Sequence, residues 1–237
     1  MELIKGIKYN FQGLLLGLKT PKLLVLGILR FVIVLILTLL VSGLIIYWHQ
    51  EILSSIWSMP ENKWLFYLWK VVSWLLSIIL ASVAAVLAYL AAQLLFCVFI
   101  MDYMSRITEK MITGQVVSSP ASFGAFLWYL IKQEIPRAVI PVLLSVMIML
   151  AGLLTPAGPV ILIISSVFAS IFLAWDNTDL VPARRMLPFN KRFQLLRQHM
   201  MFHIGFGICF LIPWVNILLL SFAPIGATRY YLEKNDL

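Results

Sequence analysis

The chain has 237 residues, of which 62% are hydrophobic and 12% charged, and a mean hydropathy of +0.98, more apolar surface than a soluble core of this size can bury. Its 18 Lys and Arg outnumber 10 Asp and Glu, a net charge of +8. The basic residues sit between apolar runs, which is the bias of cytoplasmic loops and not of a nucleic-acid surface. Composition thus predicts an all-α integral membrane protein of the bacterial inner-membrane type and excludes nucleic acid as a partner.

From Leu3 to Leu18 the apolar residues Leu3, Ile4, Ile7, Phe11, Leu14, Leu15 and Leu18 follow helical spacing, opposite Lys5, Lys8, Asn10 and Gln12. This predicts an amphipathic N-terminal helix lying on the membrane. No cleaved leader is expected, because the apolar run that follows is too long for one and is preceded by this amphipathic segment. Thr20-Pro21 breaks the helix. Residues 23–48 then carry a single charge, Arg30, over a length sufficient to cross a hydrocarbon core that needs about 20 residues. The segment with His49, Glu51, Pro60, Glu61, Lys63 and several tryptophans reads as an external loop with an aromatic belt. Residues 71–101 form the second long span.

Charges return on an apolar background at Asp102, Arg106, Glu109, Lys110, Lys132, Glu134 and Arg137, which predicts a cytoplasmic or interfacial helical region. Two apolar hairpins follow. The first pairs residues 138–155 with 160–175 across Pro156-Ala157-Gly158-Pro159, and the second pairs 204–211 with 215–227 across Ile212-Pro213-Trp214. Arg184, Arg185, Lys191, Arg192 and Arg197 lie between the hairpins, while Arg229 and Lys234 follow the second, so both return to the cytoplasmic face and both termini are cytoplasmic. The arms of the second are too short to span twice, which predicts a re-entrant element with its Pro-interrupted backbone shielded from lipid. The first is either re-entrant or a thin complete hairpin. One domain over 1–237 is expected.

The string Ile212-Pro213-Trp214-Val215-Asn216 followed by Pro224-Ile225-Gly226-Ala227-Thr228 resembles the signature of the etoposide-induced protein family, whose bacterial members are the CysZ sulfate permeases. Phe11-Gln12-Gly13 leading to Pro21, the segment from Asp102 to Gly114, and Asp179 followed by Pro188-Phe189 and a basic helix match in the same order. The resemblance implies two full transmembrane helices plus two partially penetrating (re-entrant) helical hairpins. It also implies a homo-oligomer and sulfate uptake for cysteine synthesis. One element departs: CysZ members carry a Gly-hydrophobic-Arg-Arg element after the matching proline, associated with sulfate binding, whereas this chain reads Pro21-Lys22-Leu23-Leu24-Val25.

Several constellations carry an anion-handling reading beside a structural one. Lys19, Thr20 and Lys22 at a helix start form an entry site for a dianion or anchor the helix to lipid headgroups. Arg30, about two turns into the apolar run, either snorkels or faces a protein-lined pathway and pairs with Asp102 or Glu109. Asp102, Arg106, Glu109 and Lys110, spaced i, i+4, i+7 and i+8, form ion pairs along one helical face, or border a pore in which Arg106 attracts the anion. Pro213, Asn216, Pro224, Gly226 and Thr228 build a re-entrant tip and could present free backbone donors at membrane depth.

His199 and His203 stand at i, i+4 without a completing ligand and read as part of an interfacial helix, so no metal is predicted. Cys97 and Cys209 lie in apolar segments and read as packing residues. No catalytic constellation or cofactor motif is present, and no enzyme is expected. The reading that results is an inner-membrane permease for sulfate or a related small oxyanion, supporting sulfate assimilation, with the lipid bilayer as its medium. The alternative is a non-transporting protein that shapes membranes or scaffolds partners.

Overall fold

The computed structural model describes residues 1–56, 62–117, 158–212 and 215–235, together with positions 124, 128, 129, 131, 132, 139, 141, 143, 144, 147, 148 and 150–152. Among these residues every regular element is helical. In chain order they are α1 (Glu2–Lys19), α2 (Pro21–Tyr47), α3 (His49–Ile56), α4 (Lys63–Ala92), α5 (Val98–Thr113), α6 (Gly158–Thr178), α7 (Leu180–Arg184), α8 (Phe189–Gln198), α9 (Met200–Ile208) and α10 (Val215–Asn235). A π turn over Gln93–Cys97 stands between α4 and α5, and a 3-10 turn over Cys209–Leu211 extends α9. By contacts the chain divides into two compact units, one of residues 1–31 and 97–237 and the other of residues 32–96.

Thr20 serves two helices at once. It is extended, with φ −106° and ψ 109°, its amide donates to the Leu16 carbonyl at 3.1 Å, and its own carbonyl accepts from Leu24 at 2.9 Å. Pro21 then occupies the first position of α2, where its fixed φ suits a helix start and its missing N–H leaves nothing unsatisfied. α5 stops at Gly114, whose φ of 78° places it in the left-handed region and whose amide caps the Lys110 carbonyl at 3.0 Å.

In the unit of residues 32–96 large apolar side chains face outward, Leu39 at 63% and Ile79 at 57% exposure among them. Such surface is stable only against lipid or another apolar partner. Tyr47 and Trp48 meet edge to face at 5.8 Å, and His49 lies 6.5 Å from Trp74, grouping aromatic rings near the turn between α2 and α3, as an interfacial belt does. α4 begins at Lys63, earlier than the span read from residue 71, because aromatic and apolar residues after Asn62 continue its helical pattern and the lone Lys70 does not interrupt it. The charge-bearing helix α5 is a separate element beyond the π turn.

In the other unit α1 packs on α9 and α10. The buried face of α1 is Gly6, Asn10, Gly13 and Gly17, spaced i, i+4, i+7 and i+11. Ile4, Phe11, Leu15 and Leu18 remain exposed. At 3.6 residues per turn this makes a three-sided helix: a small-residue stripe on protein, an apolar side left open, and a side with Lys5, Lys8 and Lys19. The sequence pattern separates only the last two. The stripe lets backbones touch, since a Cβ on Gly13 would lie 2.5 Å from the Gly226 amide nitrogen and one on Gly226 would strike the Tyr9 carbonyl. Phe202 stacks on Tyr230 at 3.5 Å between ring centroids, and Phe206, Phe210, Leu219, Ala223 and Ala227 complete the core there. Phe222 fills the space that Gly17 and Gly27 leave open, beside Leu23, Met104 and Ile225.

Three helices, α2, α4 and the 21-residue α6, are long and apolar enough to cross a membrane. α6 extends the second arm of the first hairpin beyond the residues 160–175 read from sequence. Half of that hairpin's first arm, and the charges Glu134 and Arg137, fall outside the described residues. In the second hairpin α9 with its 3-10 turn is short, whereas α10 runs 21 residues to Asn235, past the apolar limit at Ala227, and there Thr228, Tyr230 and Leu232 remain buried.

Candidate functional site

α5 turns Met101, Met104, Ser105, Thr108 and Glu109 inward, so the acidic side chains expected to alternate along one surface face are split by depth. Asp102 and Arg106 form the predicted i, i+4 pair at 2.7 Å. Glu109 is 1% exposed and turns instead to α7 and the residue after it. Arg184, also 1% exposed, donates to Glu109 Oε2, to Asp102 Oδ1 at 3.0 Å and to Ser105 Oγ at 3.1 Å, and Arg185 reaches Glu109 Oε1 at 3.2 Å. Thr228 donates from α10 to Ser105 at 2.8 Å. Lys110 stays exposed. In this setting the guanidinium of Arg184 joins two carboxylates and a hydroxyl through its planar fork.

A second buried pair flanks the first. Arg192 on α8 grips Asp179, with Nε 2.9 Å from Oδ1 and 2.8 Å from Oδ2 and Nη2 closing on Oδ2. Its Nη1 donates to the Tyr129 hydroxyl at 3.0 Å, and that hydroxyl donates to the Leu187 carbonyl at 2.7 Å. A cavity of about 30 Å³ adjoins this pair, lined among others by Thr178, Asp179, Arg192, His203 and Tyr230, enough for a water molecule. His203 is committed within it: Nδ1 lies 2.8 Å from the His199 carbonyl, so it carries the proton, and Nε2 accepts from Thr178 at 2.9 Å. His199 instead meets Lys234 at 3.1 Å. The two histidines do not converge, and among the described residues no three His, Cys, Asp or Glu gather as a metal would require.

Arg30 is buried, 5% exposed, on the same face of α2 as Leu23 and Gly27. It is neither snorkelled nor ion-paired to Asp102 or Glu109: Nη1 donates to the Leu220 carbonyl at 2.5 Å. Proline at residue 224, inside α10, has no N–H to give the carbonyl four residues back. Arg30 takes that place.

The remaining residues singled out from sequence separate. Lys19 and Lys22 are exposed, with Thr20 half-buried between them, and no hydrogen bond or ion pair joins their side chains to the described residues. Asn216 is half-buried, its amide closing on the Ile212 carbonyl at 3.0 Å. Gly226 makes the close approach to α1, and Thr228 joins the network through Ser105. Pro213 lies outside the described residues.

Arg184, Arg192, Asp179 and Ser105 were not picked out from sequence as site residues. Their basic members sit in a run that a charge-bias reading assigns to a solvated loop. The available signal was the buried acidic face of α5, which demands cations from elsewhere.

This order of elements, with a charged helix after the second long span and a proline-interrupted last helix, has a counterpart among known families. Residues 9–221 match the family model described as Sulfate transporter CysZ/Etoposide-induced protein 2.4. The chain belongs to that family. The match takes in Arg30, the whole of α5, Arg184 and Arg192, and ends ahead of the Pro224–Thr228 motif of this CysZ-family chain. Among curated proteins none matches it.

Proposed function

We propose that this chain is an inner-membrane permease for sulfate or a related small oxyanion, feeding sulfate assimilation and cysteine synthesis, with both termini cytoplasmic. The observation that carries the reading is the family match over residues 9–221. Two features are in keeping with it: apolar helices long enough to span, and a permanent cation, Arg30, held on the buried face of one of them. In this reading α2 and α4 cross fully, and the α6 and α9–α10 hairpins enter the bilayer and return. Copies of the chain associate through the apolar faces left open. Asp102, Arg106 and Glu109 act with Arg184 as the frame that holds α5, α7 and α10 together beside the path. Lys19, Thr20 and Lys22 collect anions at its cytoplasmic mouth.

The test is a bacterial strain without sulfate uptake of its own. Expression of the chain is expected to restore growth on sulfate as sole sulfur source and not to be needed on cysteine. No growth on sulfate, despite membrane-inserted protein, overturns the proposal. Tubulated membranes in the same cells would replace it with the membrane-shaping reading, to which the exposed apolar side of α1 lends itself.

A further inference from the structure

Two open hollows adjoin where α8 passes into α9, and both are lined by Arg197 and Gln198. One, of about 610 Å³, runs along α8 past Asn190, Phe193 and Gln194. The other, of about 400 Å³, is bounded by Glu2 and Leu3 of α1 and by Met200 and Met201 of α9. Each is of the size that takes a small organic molecule, about 300–1,000 Å³. Arg197 stands exposed between them, and no hydrogen bond or ion pair joins its guanidinium to the described residues. Arg184 and Arg192, by contrast, are buried on carboxylates. Glu2, the acid that lines the second hollow, is already held by Lys5 at 2.9 Å and by Lys234 at 3.8 Å. The patch therefore sets three cations against one carboxylate and leaves the fork of Arg197 open to a phosphate.

Its surroundings are those of a bilayer surface. Trp175, one turn before the end of the membrane-length helix α6, meets Phe189 and Phe193 edge to face at 6.0 and 6.1 Å, and those two rings stack at 6.2 Å. Rings gathered at the end of a span mark the level of the headgroups. α8 crosses that end, and the chain then turns at His199 into the apolar α9. The wall of the second hollow is apolar and open, with Leu3 and Met201 exposed and Ile4 beside them. A guanidinium, two side-chain amides and bare apolar surface thus stand together at one depth.

We propose that the two hollows around Arg197 bind an anionic glycerophospholipid. Its phosphate sits on the Arg197 guanidinium and the Gln198 amide. The hydroxyls of its headgroup meet Asn190 and Gln194 along α8, and an acyl chain covers Leu3, Ile4 and Met201. A free oxyanion would use the guanidinium and leave the apolar wall wet. A zwitterionic lipid would bring an ammonium into a patch that is already cationic. The lipid bridges α1 to the junction of α8 and α9, so it stabilises the folded chain by binding it. The site is independent of what the chain transports.

The test is the melting temperature of the purified full chain in detergent, titrated with phosphatidylglycerol, with phosphatidylcholine or with glycerol phosphate. Phosphatidylglycerol at about ten times its Kd is expected to raise the melting temperature by about 3–6 °C, and the other two at the same concentration to leave it unchanged. Arg197→Gln is expected to weaken the lipid about tenfold or more. Lys191→Gln removes an exposed charge from the same helix but lines neither hollow, and is expected to change affinity less than about twofold. Met201→Gln, which makes the apolar wall polar, is expected to weaken the lipid about threefold. Equal stabilisation by phosphatidylcholine overturns the anionic site, and equal stabilisation by glycerol phosphate makes it a site for a soluble phosphate instead. A Lys191→Gln that weakens the lipid as much as Arg197→Gln reduces the patch to diffuse basic surface and also overturns the proposal. The comparison of the three additives on the native chain decides without any variant.

Discussion

Arg30 on α2 completes a hydrogen bond that Pro224 removes from α10. The side chain of one helix replaces, at the Leu220 carbonyl, the amide that the other lost. A proline inside a helix ordinarily costs about 3 kcal/mol, and a buried carbonyl left without a donor a further 1–3 kcal/mol or so. The two residues therefore belong to one energetic unit. Arg30→Ala is predicted to destabilise the native chain by about 1–3 kcal/mol, and to do so by clearly less in a Pro224→Ala background, where the carbonyl has its own amide. Thermal denaturation in detergent of the four proteins of this cycle gives the coupling. Additive effects would contradict the pairing.

The buried network makes a sharper prediction. Glu109 and Arg184 are each 1% exposed, so removing either leaves the other charge buried on its remaining, less enclosed partner, Arg185 at 3.2 Å or Asp102 at 3.0 Å, at a cost approaching the roughly 3–5 kcal/mol of a broken buried pair. Glu109→Leu and Arg184→Leu are each expected to lower the melting temperature strongly, and the double substitution to cost less than the sum. Asp102, 23% exposed, keeps access to solvent and to Arg106, so Asp102→Asn has the milder effect.

The helix crossing of α1 is predicted to tolerate no added methyl at its contacts. Gly226→Ala places a Cβ against the Tyr9 carbonyl, an overpacking that costs about 1–3 kcal/mol where backbone cannot yield. Gly43→Ala is the control: nothing lies within 4 Å of its Cβ position, and alanine in a helix gains up to about 1 kcal/mol over glycine. Opposite shifts in melting temperature are expected for the two variants.

Acid is predicted to loosen the contacts between the two ends of the chain, where Tyr9 donates to Glu233 and the Lys234 ammonium lies 3.8 Å from the Glu2 carboxylate. Partial burial and the nearby Lys234 ammonium hold His199 below its usual 6.5. The Lys5 hydrogen bond holds Glu2 below 4.5. Burial pushes the Glu233 carboxyl up, but the hydrogen bonds from Arg229 and Tyr9 outweigh it, and the carboxyl also lies below 4.5. All three groups bind fewer protons folded than unfolded, so their stabilisation is present at neutral pH. It is lost as pH falls, for His199 below about 6.5 and for the carboxylates below about 4.5. Melting temperature should decline from pH 7 to 5 and again below 4.5, and His199→Gln should lessen the first decline. A melting temperature that rises on acidification would contradict this assignment.

The long apolar runs were legible because hydrocarbon leaves the chain few alternatives: α2 lies within two residues of its expected start, and α1 appears as a helix over its full pattern. The interior partners were not. Arg184 and Arg192 sit among surface-type basic residues, and only the fold shows them 1% exposed, since a charge-bias argument treats every arginine of a loop alike. Arg30 was legible as a charge at depth, yet its partner is a backbone carbonyl 190 residues away, which no side-chain spacing can reveal. Gly13 and Gly226 show the same limit. Each reads as a small residue in a helix, and their contact exists only once α1 crosses α10.

The central claim is that this CysZ-family chain moves a sulfate-like oxyanion, and radiolabelled sulfate entry into liposomes containing the purified protein tests it most directly. The account predicts entry above that of protein-free liposomes, suppressed by excess unlabelled sulfate. Entry indistinguishable from protein-free liposomes, with folded protein in the membrane, would contradict it.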